Sequence, residues 1–157
     1  MKDLIYRLDS AQPFSDNDPR FTWIDHPVRV LAHWRVLHRQ FGWRGLARLA
    51  AVSATPSRAF FFIERDGMPV SHGRVRLGAC DHYEIENDAA VLGEIWSDGA
   101  YRGQGLATRA LQGAVNSLLE RGCRTVYIDT QPQNLPMRRA IDRCGFREYV
   151  DPALGAC

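Results

Sequence analysis

The sequence predicts one α/β domain spanning residues 1–157, built around a mixed sheet. Its second half alternates strands and helices. Residues 89–97 and 125–129 are strand-like, residues 106–119 carry a helical apolar stripe that Gly122 ends, and a second helix opens at Pro136. Because a helical crossover returns the chain to the same end of a sheet, this order predicts parallel pairing of the strands.

The first half is predicted to supply a strand and helices. Residues 3–8 alternate loosely, which indicates a strand, whereas residues 10–20 are rich in Pro, Asp, Asn and Ser and indicate a loop. Pro27 suits the first turn of a helix, and Gly42 is expected to break that helix. Apolar residues at spacings of three and four predict a face packed on the core: Val28, Leu31, Trp34, Leu37 and Phe41. The opposite face is basic: Arg29, Arg35, Arg39, Arg44 and Arg48.

A β-hairpin is predicted next. Residues 59–64 and 70–77 are strand-like, and Asp66-Gly67 between them favours a two-residue turn. One face of the second strand is polar: His72, Arg74 and Arg76. The following loop, residues 78–88, is acidic: Asp81, Glu84, Glu86 and Asp88.

Composition and charge narrow the class of protein. Hydrophobic residues make up 45% and charged residues 24% of the chain, as in ordinary globular proteins. No apolar run reaches the roughly 18 residues of a membrane span, and residues 1–10 lack a signal-peptide pattern, so we expect a cytoplasmic protein. The four cysteines lack metal-site spacing, so no metal is predicted. Ten basic against three acidic residues between Arg20 and Arg76 indicate a solvated face, and we do not expect nucleic acid as a partner.

The stretch Ala100 to Thr108 carries the clearest functional pattern. It lies between a strand and a long helix and holds two glycines, Gly103 and Gly105. The first N–H groups of a helix lack intrahelical partners, and the helix dipole favours negative charge there. Glycines let the backbone approach a ligand closely, so the segment predicts a pyrophosphate cradle, with Arg102 adding positive charge.

Three phosphate-binding patterns compete for this segment. A Walker loop requires a Gly-Lys-Ser/Thr ending, which is absent. A dinucleotide fingerprint requires Gly or Ala near residue 108, but this sequence has Thr108 followed by Arg109. The pattern R/Q-x-x-G-x-G/A is satisfied by Arg102, Gly105 and Ala107.

Residues 101–107, Tyr-Arg-Gly-Gln-Gly-Leu-Ala, resemble the acetyl-CoA pyrophosphate loop of the GNAT N-acetyltransferases. The resemblance continues through Val126-Tyr-Ile-Asp129, Asn134 and Arg143-Cys-Gly-Phe146. It implies the GNAT fold, a mixed central sheet with splayed parallel strands flanked by helices. It also implies an N-acetyltransferase that moves an acetyl group from acetyl-CoA to a primary amine by direct attack.

The resemblance also implies a set of site residues. The pantetheine arm enters between splayed strands, so it is expected along the backbone of Ile95, Trp96 and Ser97. Asn134 would bond the arm from the other side, and Arg138 or Arg139 would reach the adenosine 3′-phosphate. The pyrophosphate would be held by Arg102, Gly103, Gln104, Gly105, Leu106, Ala107 and Thr108.

Amine attack requires a base, and three residues are candidates. Asp129 resembles the carboxylate used by members that acetylate ribosomal-protein amino termini, although a loop-capping role is equally open. Glu94 is the rival, because a carboxylate in a core-bound strand requires a reason, and a partly exposed position would supply one. His72 is the third candidate.

Two departures from the family pattern leave alternatives open. The usual thiolate acid, a tyrosine four residues before the closing Gly, is Ile141 here; Tyr149, Tyr101 or solvent would have to replace it. Only eleven residues follow Phe146, so the final strand is missing, comes from another subunit or is replaced by the amino-terminal region. The alternative function is a non-catalytic acyl-CoA-binding regulatory or interaction module. The acceptor, a small molecule or a protein amine, is undetermined, and a homodimer remains open.

Overall fold

The computed structural model describes residues 3–9 and 12–150. It contains seven strands and four α-helices in these ranges. In chain order they are β1 Leu4–Leu8, β2 Phe21–Ile24, α1 Pro27–Ala32, α2 Trp34–Ser53, β3 Arg58–Arg65, β4 Met68–Leu77, β5 Ala90–Ser97, α3 Leu106–Glu120, β6 Val126–Thr130, α4 Leu135–Arg143 and β7 Arg147–Tyr149. A short 3₁₀ turn, Gly99–Tyr101, precedes α3.

The strands form one mixed sheet in the order β2-β3-β4-β5-β6-β1-β7. Only β5 and β6 pair in parallel within this sheet; the remaining neighbours are antiparallel. The helices cover both faces. Leu111 of α3 and Ile141 of α4 pack on one face with Phe61, which we call the α3 face, whereas Leu37 and Leu49 of α2 pack on the other with Phe62, the α2 face. The predicted α/β class with a mixed sheet flanked by helices is confirmed.

The amino-terminal strand completes the sheet. Strand β1 lies between β6 and β7 and is antiparallel to both, with Tyr6 opposite Ile128 on one side and Glu148 on the other. Of the three alternatives for the sheet after Phe146, replacement by the amino-terminal region is therefore the one observed. A short strand after Phe146, β7, is also present at the edge of the sheet beside β1. The crossover through α4 does not pair β6 with β7, because β1 separates them.

The helices of the α2 face depart from the predicted apolar stripe. Val28, Leu31 and Trp34 are exposed, and only Leu37 of the five stripe residues is fully buried. The reason is that α1 ends at Ala32, so residues 28 and 31 belong to a different helix from residue 37. Gly42, with φ 66° and ψ −176°, kinks α2 where the break was predicted.

The predicted β-hairpin is confirmed, and a strand that was not predicted lies beside it. Asp66 and Gly67 both have positive φ, 51° and 71°, as a two-residue type I′ turn requires. Strand β2 pairs with β3 at the edge of the sheet, where Trp23 and Ile24 are buried. Among the residues that the structure describes, no helix is long and apolar enough to cross a bilayer.

Candidate active site

Strands β5 and β6 separate partway along their length. Their parallel pairing runs through Leu92 opposite Ile128 and then stops, although β5 continues to Ser97. Beyond Leu92, β5 remains paired with β4 only, so within the described chain its other edge has no strand partner. Unpaired backbone N–H and C=O groups are then available to an extended ligand. The residues predicted to border the pantetheine arm, Ile95, Trp96 and Ser97, all lie on this segment.

A bulge makes β5 diverge. Arg74 of β4 lies opposite Gly93, but His72 lies opposite Trp96, so β5 holds one extra residue between them. Glu94 at this bulge has φ 52°, a conformation that non-glycine residues rarely adopt. Backbone strain of this kind concentrates at functional sites, where neighbouring structure holds it in place.

The glycine-rich turn leads from β5 into α3. Gly103 and Gly105 have φ of 78° and 72°, and a Cβ added to either would meet no atom within 4 Å. Gly105 is the N-cap of α3 and has no side chain to cap the helix. Among the described residues, no carbonyl or side chain accepts a hydrogen bond from the amides of 103–108. The turn therefore offers open space and free donors of the kind that bind phosphate oxygens.

Two contacts hold this turn against the rest of the sheet. The Asp98 carboxylate accepts a hydrogen bond from the Ala100 amide at 2.9 Å, which caps the 3₁₀ turn. The Tyr101 hydroxyl donates to Asp66 at 3.0 Å and so ties the turn to the β3–β4 hairpin. The amides of the cradle are thus positioned before any ligand arrives.

The start of α4 lies at the same edge of the sheet, because β5 and β6 are parallel and both end there. Asn134 is the N-cap of α4, and its side-chain oxygen accepts from the Met137 amide at 3.3 Å. Its amide NH₂ is exposed and remains available to donate. Arg138 donates instead to the Tyr6 hydroxyl and to the Pro132 carbonyl, at 3.1 and 3.2 Å. Arg138 thus joins α4 to β1, and its assignment to the 3′-phosphate stays a prediction.

A cavity of about 260 Å³ opens on the α2 face beside the point where the strands part. Gly93 and Glu94 of β5 and Asp129 of β6 line it together, so both proposed carboxylate bases face the same space. Asp129 is half-buried and accepts a hydrogen bond from the Tyr83 hydroxyl at 3.2 Å. Burial raises the pKa of Asp129 above its ordinary value, although the Tyr83 hydrogen bond opposes the shift. A carboxylate with a raised pKa is a better proton acceptor near neutral pH.

Glu94 differs from Asp129 in its surroundings. Its side chain is 68% exposed and forms an ion pair with Arg74 at 2.9 Å. Of the two readings of Glu94, the exposed strand position is the one observed, and the bulge accounts for it.

His72 is held among aromatic rings. Its ring stacks on Trp96 with centroids 5.0 Å apart and meets Phe41 edge-on at 5.1 Å. Burial, with a smaller contribution from Arg74, lowers the pKa of His72 to about 4. The ring is therefore neutral at physiological pH, is a weak proton acceptor, and packs as part of this aromatic cluster.

No tyrosine occupies the usual position of the thiolate acid. Ile141 is fully buried in the core of the α3 face. Of the substitutes considered, Tyr101 donates its hydroxyl to Asp66, and Tyr149 packs edge-on against Tyr127 with centroids 5.5 Å apart.

The acidic loop between β4 and β5 is tied to the sheet by Glu86, and its glutamates do not line the cavity. The Glu86 carboxylate is bound by Arg7 at 2.9 Å and by the Tyr127 hydroxyl at 2.8 Å, which fixes the loop to the sheet. Neither Glu84 nor Glu86 lines the cavity; the loop residues that do are Ala79, Cys80, Asp81 and His82. Sequence reasoning missed Tyr83 and the arginines of the cavity wall. The alternating polar residues of β4 were the sequence signal that could have indicated these arginines.

We expect Tyr83→Phe to raise the pKa of Asp129 further, because the variant removes the hydrogen bond that stabilises the carboxylate. A carbon-detected NMR titration of the Asp129 carboxyl measures this directly. Tyr127→Phe is the matched control, since its hydroxyl donates to Glu86 instead. An unchanged Asp129 titration in Tyr83→Phe would show that the hydroxyl does not stabilise this carboxylate.

Diverging parallel strands that end beside a glycine-rich helix start define the fold of an acetyltransferase. Residues 8–146 match the model of the Acetyltransferase (GNAT) family, so the chain belongs to that family. No curated protein matches the chain in sequence.

Solved structures share this fold at low identity. An acetyltransferase of the GNAT family from Colwellia psychrerythraea has a TM-score of 0.64 and 20% identity over 93% of this chain and 52% of that one. The aminoglycoside N-acetyltransferase AAC(6')-Iy, in complex with the bisubstrate analogue CoA-S-monomethyl-acetylneamine, has a TM-score of 0.61 and 21% identity over 82% and 90%. A GNAT-family protein from Novosphingobium aromaticivorans DSM 12444 has a TM-score of 0.59 and 17% identity over 94% and 60%. The chain thus spans only 52% and 60% of the first and third of these proteins.

Proposed function

We propose that this chain transfers an acetyl group from acetyl-CoA to a primary amine by direct attack. One observation carries the proposal: β5 and β6 part beyond Leu92 and Ile128, and this opening has free amides at one end and Asp129 at the other. Family membership and the CoA analogue bound to AAC(6')-Iy support acetyl-CoA as the donor.

The residues present fit CoA. The amides of Gly103 to Thr108 would bind the pyrophosphate, with Arg102 and the Thr108 hydroxyl beside them. The free edge of β5 at Ile95 to Ser97 would bond the pantetheine amides, and the Asn134 NH₂ would donate from the other side. Bound in this way, the donor supplies an acetyl thioester next to the cavity.

Asp129 acts as the base in this proposal. Its raised pKa and its place beside the strand separation suit it to accept the proton that the attacking amine releases. The Tyr83 hydroxyl holds the carboxylate in position. Glu94 remains the rival, and its exposed position argues against it. We assign solvent as the acid for the departing thiolate, since Tyr101 donates to Asp66, Tyr149 packs against Tyr127, and Ile141 has no hydroxyl.

The test is turnover. The protein is incubated with acetyl-CoA and a panel of primary amines, and free thiol is followed over time. We expect thiol release that depends on both the protein and an amine.

A second candidate function is a non-catalytic acyl-CoA-binding module. It is favoured by Ile141, which stands where the family pattern has the tyrosine that protonates the thiolate. Calorimetric binding of acetyl-CoA without turnover of any amine would favour that module.

A cytoplasmic location and a homodimer stay predictions of the sequence. Fractionation of the cell of origin and light scattering of the purified protein test them.

A further inference from the structure

Three arginines form one wall of the 260 Å³ cavity: Arg58, Arg74 and Arg76. Arg58 of β3 and Arg76 of β4 are direct partners in the register of the hairpin, and Arg74 lies two residues away on the same face. Like charges directly opposite each other destabilise a sheet. A concave wall with this arrangement is suited to an anion.

The acids near these arginines leave them accessible. Arg74 and Arg76 pair with Glu94 and Asp81, but the acids are 68% and 69% exposed whereas the arginines are 41% and 31% exposed. Asp81 and Glu94 line the cavity as well, but in each pair the acid is the more exposed partner. Exposed pairs of this kind contribute little free energy, so they oppose the binding of a ligand anion by the arginines only weakly. Arg58 has no ion-pair partner in the described part of the chain.

Asp129 of β6 also lines the cavity, beside the place where the strands part. The Asp129 carboxylate and the arginines of β3 and β4 therefore give the cavity groups of both charges. A polycation that placed one amine at Asp129 would bring its remaining positive charges near the arginines, which opposes its binding.

A second cavity, of about 190 Å³, adjoins the first and shares Val52, Arg74 and Glu94 with it. Its remaining lining is largely apolar: Phe41, Leu49, Phe60 and the neutral His72 ring, with Gly45 and Arg48 at its side. An acceptor with an apolar group has a place to bury it here, at roughly 25 cal/mol per Å² of apolar surface.

We infer that the acceptor is a primary amine that also carries an anionic group and an apolar group, in the manner of an amino acid. The amine lies at Asp129, the anion at Arg58 and Arg76, and the apolar group in the second cavity. This inference rests on the proposed function. In the transfer, the amine nitrogen bonds to the acetyl carbon, the C–S bond breaks, the electron pair leaves with sulfur, and the surplus proton passes to Asp129.

The first experiment compares matched amines at equal concentrations of the unprotonated form. Phenylalanine is set against phenylalaninamide, phosphoethanolamine against ethanolamine, and spermidine represents the polycations. We expect kcat/KM to be at least about tenfold higher for an anionic amine than for its neutral counterpart, about 1.4 kcal/mol. The two pairs distinguish a carboxylate from a phosphate. Preference for spermidine or for the neutral amines would overturn the inference and leave the proposed function intact.

The second experiment changes one arginine. Arg58→Gln should raise KM for the anionic amine about tenfold, leave its kcat unchanged and leave both constants for the neutral amine unchanged. Arg44→Gln is the control, since Arg44 is exposed on α2 and lines neither cavity. Equal losses for both amines in Arg58→Gln would indicate a structural role only and would contradict an anion site.

A binding measurement decides the case even if no amine is turned over. Calorimetry of the CoA-loaded protein compares N-acetylphenylalanine with N-acetylphenylalaninamide, which differ only in the carboxylate. We expect the carboxylate to bind at least about tenfold more tightly and Arg58→Gln to remove that difference. Equal binding, or none by either compound, would refute the inference. A preference for the carboxylate without turnover would instead count against the proposed reaction alone.

Discussion

Gly105→Glu is expected to weaken acetyl-CoA binding at least about 100-fold, or about 2.8 kcal/mol. Gly105 is the N-cap of α3 with φ 72°, and the space in front of it is open. A glutamate there would fill the space that the pyrophosphate needs and would place a carboxylate against its negative charge. Calorimetric titration with acetyl-CoA and with CoA measures the loss.

Gly122→Glu is the matched control for this loss. Gly122 follows the other end of α3 with φ 83° and also faces open space, so both variants carry the same left-handed strain. A glutamate near a helix start is stabilised by the helix dipole, so the Gly105 variant should fold at least as well as its control. Normal CoA binding by Gly105→Glu, or an equal loss in Gly122→Glu, would contradict the cradle.

The elements set by local sequence were predicted best. Helix α3 begins at Leu106 directly after Gly105 and ends before Gly122, as its glycines and apolar period indicate. The Asp66-Gly67 turn likewise follows from two residues alone. In each case the residues that decide the structure are neighbours in the chain.

The elements set by distant contacts were predicted least well. Tyr6 reaches its place between Ile128 and Glu148 across more than a hundred residues, and no local pattern specifies that pairing. Strand β2 has only four residues, and its strand character depends on β3 beside it. Propensity decides little in so short a segment.

In the candidate site as well, the features built by local sequence were predicted and those built by distant contacts were not. The cradle at Gly103 and Gly105 was visible because a single turn builds it. The contact between Tyr83 and Asp129 was not, since it joins a loop to a strand 46 residues away. The polar alternation of β4 was visible, but the cavity that gives it meaning exists only once β3, β4, β5 and β6 are assembled.

Asp129→Asn is expected to lower turnover by about 10²- to 10⁴-fold while leaving acetyl-CoA binding unchanged, because the amide cannot accept the amine proton. Glu94→Gln is the matched control, a carboxylate in the same cavity that is exposed and paired with Arg74. We expect it to retain turnover within a few-fold. Steady-state thiol release and calorimetry measure the two effects. If Glu94→Gln fails and Asp129→Asn does not, the base is Glu94.

Stability separates a catalytic Asp129 from one that only caps a loop. Because burial raises its pKa in the folded state, ionisation of Asp129 favours the unfolded chain, and this penalty grows as pH rises through the folded-state pKa. Asp129→Asn removes the penalty, and the amide oxygen still accepts from Tyr83. Its melting temperature at pH 8 should therefore equal or exceed that of the unmodified protein, with the difference shrinking toward pH 4. A variant that loses both turnover and stability would indicate that Asp129 is a structural capping residue. Lost turnover with retained stability would indicate a catalytic base whose burial in ionised form lowers the stability of the fold.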